Sequence, residues 1–205
     1  MKRAFLCTLV FLCIVSLSSV GSAQSQISVG AYAGLNIATV SMDPEVFTPE
    51  SRTGLLAGGF VEFGLDKMWY IEAGLAYAQC GAEKNLFILT ATYKYDFVQI
   101  PVHAKVKFHL VGSDFTPYIY AGANIGFSMN SKLEIAGEEF DLKDSTASTN
   151  FAADFGVGCE LAVSPTISLF ATVGYSWGFA DIDKTSLTET QTRAIPIAVG
   201  VRFGL

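Results

Sequence analysis

The sequence is short of charge, of cysteine, of histidine and, beyond its first residues, of any long apolar run. Charged residues make up 16% of it against 51% hydrophobic ones, whereas in soluble domains about a quarter of residues are charged. There are only 2 histidines, His103 and His109, and no HExxH, P-loop or paired CxxC pattern. Metalloprotease, nucleotide-phosphate and zinc-ribbon chemistry therefore lack their residues, and no cofactor is implied. A net charge of −6 repels phosphodiester backbones and argues against a nucleic-acid partner. After residue 23 no apolar stretch reaches the 18 or so residues that cross a bilayer as a helix.

What is present begins with an export leader. Lys2 and Arg3 give a positive start, residues 4–20 are almost all apolar or small, and Gly21-Ser22-Ala23 has the small-residue pattern of a cleavage site. Cleavage between Ala23 and Gln24 divides the chain into a signal peptide, 1–23, and a mature domain, 24–205. A retained anchor is disfavoured, because it needs about 20 apolar residues with a stop-transfer flank. Cys7 and Cys13 leave with the signal, and no cysteine lies near the cut to carry a lipid. Cys80 and Cys159 remain; two distant thiols make no disulfide framework and read as small strand residues.

The mature chain alternates. Apolar residues recur with a period of two over 27–37, 55–65, 69–77, 98–108, 119–127, 151–161, 167–177 and 195–203, which predicts eight strands, each with one greasy face. Each has about the 9 to 11 residues, or slightly more, of a tilted membrane strand. Short links at 66–68, 111–115 and 164–166 alternate with long ones at 39–53, 79–93, 130–149 and 181–192. An all-β fold follows: an eight-stranded antiparallel up-and-down transmembrane β-barrel with short periplasmic turns and long outer loops, exported through the periplasm to the outer membrane.

The polar face decides which side meets lipid. It carries Glu62, Glu72, His103, Lys105, Lys107, Asp154, Glu160 and Arg202, acids and bases that can pair across a lumen as a structural charge network. A one-residue register slip would turn seven of these charges into lipid, at a total on the order of 10 to 20 kcal/mol. That matches or exceeds a typical net stability of about 5 to 15 kcal/mol. Aromatic belts are expected from Trp69 and Phe203 at the periplasmic rim and from Tyr77, Phe127, Tyr175, Trp177 and Phe179 at the outer rim.

Gly30-Ala-Tyr-Ala-Gly34-Leu35-Asn36, Tyr77-Ala-Gln-Cys-Gly81, Val98-Gln-Ile-Pro101 and Tyr120-Ala-Gly122 together resemble the PorT-like, OmpA-like outer-membrane β-barrel proteins over nearly the whole mature chain. The resemblance implies an eight-stranded barrel and, for the member that names the family, a part in protein secretion and surface assembly. Cys80 departs from the more usual polar residue there, and the chain ends Phe203-Gly204-Leu205 rather than on an aromatic.

Three functions remain open. The favoured one is a non-enzymatic, monomeric barrel with a polar plug, set in outer-membrane lipid, whose loops or turns bind a protein partner of the envelope. Eight strands leave room only for side chains, so the plug is preferred to an ion path. The second is a lipid-modifying barrel enzyme, with His103, Asp154 and Ser168 as an imaginable base, carboxylate and hydroxyl set. The third is a soluble periplasmic ligand-binding barrel, in which apolar residues would line the cavity. Asp43, Glu45, Glu50, Glu138, Glu139, Asp141, Asp144, Asp181 and Asp183 make the outer loops acidic. Solvated loop charge is the preferred reading there over bound divalent cations or a cationic partner.

Overall fold

The computed structural model describes residues 27–43, 50–86, 89–135, 138–141, 149–179 and 189–205. The expected leader and its cleavage point at Ala23 and Gln24 lie outside them, as do Glu45, Asp144, Asp181 and Asp183.

The strands are β1 (Ile27–Asp43), β2 (Glu50–Gly64), β3 (Trp69–Leu86), β4 (Leu89–Lys107), β5 (Phe115–Ile135), β6 (Glu138–Asp141), β7 (Thr149–Ala162), β8 (Ile167–Gly178) and β9 (Glu189–Gly204). Every pairing is antiparallel. Eight of the strands close a ring in the order β4-β3-β2-β1-β9-β8-β7-β5, sealed by the β4–β5 pairing. Among the described residues closure leaves no open edge in the eight-stranded ring, an edge that lipid would not tolerate because its core offers no hydrogen-bond partner. Among the described residues no helix is long and apolar enough to cross a membrane; the crossing elements are strands.

The ninth strand, β6, is a short arm pairing with the outer end of β5. Its presence corrects the expected loop structure. Much of 79–93 is a hairpin, with β3 and β4 paired as far as Leu86↔Leu89, and β1, β5 and β9 likewise run beyond their alternating cores. Along these extensions the period-two signal breaks or changes parity, as at the register shift between Asp96 and Phe97, while the backbone ladder persists. The side chains of Asp43, Glu50, Glu138, Glu139 and Asp141 lie on these extensions and are outside those described.

The other rim is tight. Leu65 N–H donates to Trp69 O at 2.8 Å and Val163 N–H to Ile167 O at 2.9 Å. The β4–β5 turn uses Gly112 at φ 75°, a left-handed conformation that glycine adopts without a Cβ penalty.

The wall is polarised as lipid demands. Leu35, Leu75, Val102, Ile119, Val157, Leu169 and Val199 are exposed on its outside, whereas Glu62, Lys107 and Ser28 are almost fully buried inside. This is the reverse of a soluble carrier, whose apolar residues would line the cavity, and it overturns the soluble alternative. From Ile167 to Trp177 a strand rising about 3.3 Å per residue and tilted about 40° climbs roughly 25 Å, the height of an outer-membrane apolar band. Trp69 and Phe203 stand exposed at the short-turn end of that band, and Phe127, Trp177 and Phe179 at the other. Tyr77 and Tyr175 are half-buried on the same outer wall. Arg193 lies over the Trp177 ring at 5.3 Å, a rim contact that alternation alone does not suggest.

Candidate functional site: the sealed lumen

Antiparallel register places the inward charges in a row. Ser28 opposes Glu62, Glu62 opposes Glu72, Glu72 opposes His103, His103 opposes Gly122, Gly122 opposes Asp154, and Asp154 opposes Ser176. The row crosses seven strands. Two carboxylates directly opposite one another, Glu62 and Glu72, repel, and Lys105 relieves them: its Nζ hydrogen-bonds Glu72 Oε2 and faces Glu62 Oε2 at 3.5 Å.

Below the row, toward the short turns, Lys107 Nζ reaches Glu62 Oε1 at 2.6 Å and Glu160 Oε1 at 2.7 Å. Arg202 Nε faces Glu160 Oε2 at 3.2 Å, while its Nη1 and Nη2 donate to Ser28 Oγ and Ser168 Oγ at 3.3 and 3.1 Å. Aromatic faces complete the solvation of the lysines. Lys105 lies 5.1 Å from the Phe60 centroid and 4.9 Å from that of Tyr118, and Lys107 lies 4.4 Å from that of Tyr70. A buried charge is costly unless paired and hydrogen-bonded, and here each partner is supplied from a different strand.

At the upper edge His103 is held from both sides, Nδ1 at 3.4 Å from Glu72 Oε1 and Nε2 at 3.2 Å from Asp154 Oδ2. Ser176 Oγ donates to Asp154 Oδ1 at 2.6 Å. Gly122 makes the crossing possible, because a Cβ there would lie 2.0 Å from Val102 O and 2.9 Å from His103 Cδ2. Above this level Cys80, Phe97, Ala38 and Ala194 pack into an apolar cap, with Asn36 Nδ2 donating to the Cys80 thiol at 3.2 Å. Between cap and ion pairs remains a cavity of about 90 Å³.

All eight inward charges expected from the sequence thus line one lumen and touch one another in a chain from Asp154 to Arg202. The imagined hydrolytic set is not assembled. Ser168 bonds Arg202 at the short-turn end, both nitrogens of His103 face carboxylates, and Ser176 bonds Asp154 rather than the ring. Sequence reasoning missed Ser28, Ser176, Gly122 and the inward aromatics Phe60, Tyr70, Tyr118 and Tyr120. Their signal was their parity, the same as that of the charges, but alternation ranks glycine, serine and tyrosine on the polar face equally. Cys80 and Cys159 are both free.

A closed ring with hydrocarbon-facing residues outside and a paired ionic filling inside defines a small outer-membrane β-barrel. The chain belongs to the family described as outer membrane protein beta-barrel domain, which matches it over residues 22–184. Among solved structures it is similar to Neisserial surface protein A, with TM-score 0.56 and 17% identity over 87% of this chain and 97% of that one. A major outer membrane protein from Thermus thermophilus gives 0.55 and 13% over 88% and 99%, and the outer membrane protein OprG from Pseudomonas aeruginosa 0.54 and 10% over 88% and 96%. At these identities the likeness is one of fold. No curated protein matches the sequence.

Proposed function

We propose that the protein is a non-enzymatic, monomeric scaffold of the outer membrane whose outer hairpins or periplasmic turns bind a protein partner in secretion, surface assembly or envelope maintenance. The observation that carries this reading is the plugged lumen. Ion pairs link β2, β3, β4, β7 and β9 across the lumen, and the cavity beside them measures about 90 Å³, room for a few waters. Both nitrogens of His103 face carboxylates, so neither is placed to take a proton from a hydroxyl. With conduction and base catalysis both disfavoured, the surfaces at the two rims are left to carry function on a rigid frame. The resemblance to PorT-like proteins favours secretion and surface assembly within that class.

Crosslinking in intact cells followed by detergent extraction tests this directly, and a discrete protein adduct that changes when residues 82–93 or the 108–114 turn are replaced is expected. Failure to recover any envelope protein, or stable reproducible channels from purified protein in planar bilayers, would count against the reading.

A further inference from the structure

The lumen network is unbalanced in permanent charge. Glu62, Glu72, Asp154 and Glu160 bring four carboxylates, whereas Lys105, Lys107 and Arg202 bring three cations. His103 lies between two of the carboxylates, 3.4 Å from Glu72 and 3.2 Å from Asp154. A neutral imidazole has one N–H, so one of these contacts would set a bare nitrogen lone pair against a carboxylate oxygen. With both ring nitrogens protonated, both contacts become donor-to-acceptor bonds and the charge count closes. In this geometry His103 is the fourth cation.

The cavity next to it is built for a different occupant. It is lined by Asn124, Asn150, Thr192, Gln99, Ser176 and Asp154 among others. Asn124 Oδ1 and Asn150 Oδ1 are buried without a hydrogen-bond partner, on residues each 6% exposed. The two residues are diagonal neighbours on one face, Asn124 opposite Ala152 and Asn150 opposite Gly126. Buried acceptors without a donor call for water or a cation. Of the other groups that face this region, Lys105 is committed to Glu62 and Glu72, the Tyr120 ring lies against His103 at 4.9 Å, and Tyr32 lines the cavity wall. Arg52 is bonded to the Cys80 carbonyl at 2.8 Å, outside the network. Among the described residues no group of three His, Cys, Asp or Glu side chains is disposed to hold a metal. Two amide oxygens lining the same chamber as Asp154, a carboxylate that no lysine or arginine reaches among the described residues, supply neutral ligands and one negative charge, a set that matches a weakly held monovalent ion.

The geometry points to a proton-for-cation exchange site: the chamber bounded by Asn124, Asn150 and Asp154 takes one monovalent cation of the Na⁺ and K⁺ class when His103 is neutral, and loses it when His103 is protonated. Either species supplies the fourth positive charge of the lumen. Because the two compete, the apparent cation affinity falls about tenfold for each pH unit below the titration of His103. Asn124→Ala weakens binding about tenfold, through loss of one oxygen.

The test uses crystals of the full barrel in Rb⁺, whose anomalous scattering marks the site, at about pH 5 and about pH 10, on either side of the ordinary imidazole range. Wild type is expected to show a Rb⁺ peak at Asn124 and Asn150 only in alkali. His103→Gln should show it at both pH values, and His103→Lys, with a permanent charge, at neither. Unfolding midpoints in rubidium against choline chloride give the same comparison in solution. ¹⁵N spectra of the wild-type ring, assigned with His109→Gln, report its protonation independently of any variant's folding. A neutral His103 ring in acid, a Rb⁺ affinity of wild type that does not vary with pH, or a folded His103→Gln without a peak in alkali would each overturn the proposal.

Discussion

Lys107→Met tests whether the ionic filling holds the barrel together or merely occupies it. Methionine keeps an unbranched apolar stem and removes the ammonium that bridges Glu62 and Glu160 at 2.6 and 2.7 Å and lies over the Tyr70 ring. Glu62 is 0% exposed and Glu160 5% exposed, so neither carboxylate can turn to water. Lys105 at 3.5 Å from Glu62 and Arg202 at 3.2 Å from Glu160 compensate in part. Removing one partner of a buried pair costs about 3 to 5 kcal/mol, a large share of a net stability of about 5 to 15 kcal/mol. Adding Glu62→Gln removes the stranded charge, and the double variant should recover part of the loss, with a coupling of about 0.5 to 3 kcal/mol. Guanidinium unfolding from lipid vesicles, followed by the fluorescence of Trp69 and Trp177 at opposite ends of the wall, measures both by linear extrapolation. A loss below about 1 kcal/mol at unchanged slope is the value of an exposed pair, and it would refute the view of the lumen as a sealed ionic plug.

The packing of the wall sets three further expectations. Gly122→Ala places a Cβ against backbone and the His103 ring and should destabilise by about 1 to 3 kcal/mol, whereas at Gly59 the nearest atom is 3.4 Å away and alanine should be tolerated; the same unfolding assay separates them. Val157→Arg, on the lipid face near mid-height, should cost about 2 to 4 kcal/mol, and Leu205→Arg at the chain end about 0 to 1 kcal/mol; equal costs at the two sites would contradict the placement of the bilayer. Cys159, half-buried on the outer wall, should react with an apolar maleimide delivered through lipid, while Cys80, under the Phe97 cap, should stay unlabelled until the barrel unfolds, as mass spectrometry would show.

Strand number, face polarity and the short-turn rim were readable because each follows from a period of two and from turn residues, which are local properties. Val157 and Asp154 lie on opposite faces whatever the neighbouring strands do. The strand extensions at 82–86 and 89–94 were not readable as part of the wall, because 82–86 carries no alternation and the alternation of Leu89, Ala91 and Tyr93 has the opposite parity to that of Val98, Ile100 and Val102, a register shift lying between Asp96 and Phe97. The parity that placed His103 inward was equally silent about its partners. Glu72 and Asp154 are 31 and 51 residues away along the chain, and only the β3–β4, β4–β5 and β5–β7 registers bring them to one ring.

By itself the sequence determined that this chain alternates and that its charges share one parity, so that if one face meets lipid it is the apolar one, since a slip would turn seven charges into hydrocarbon. The tertiary structure alone decided which acid meets which base, that Gly122 opens the passage for His103, that Ser176 and not Ser168 joins Asp154, and that a chamber with two unpartnered amide oxygens remains above the plug. Those facts depend on closure and on the stagger between strands, which fix heights around a ring and which no single strand encodes.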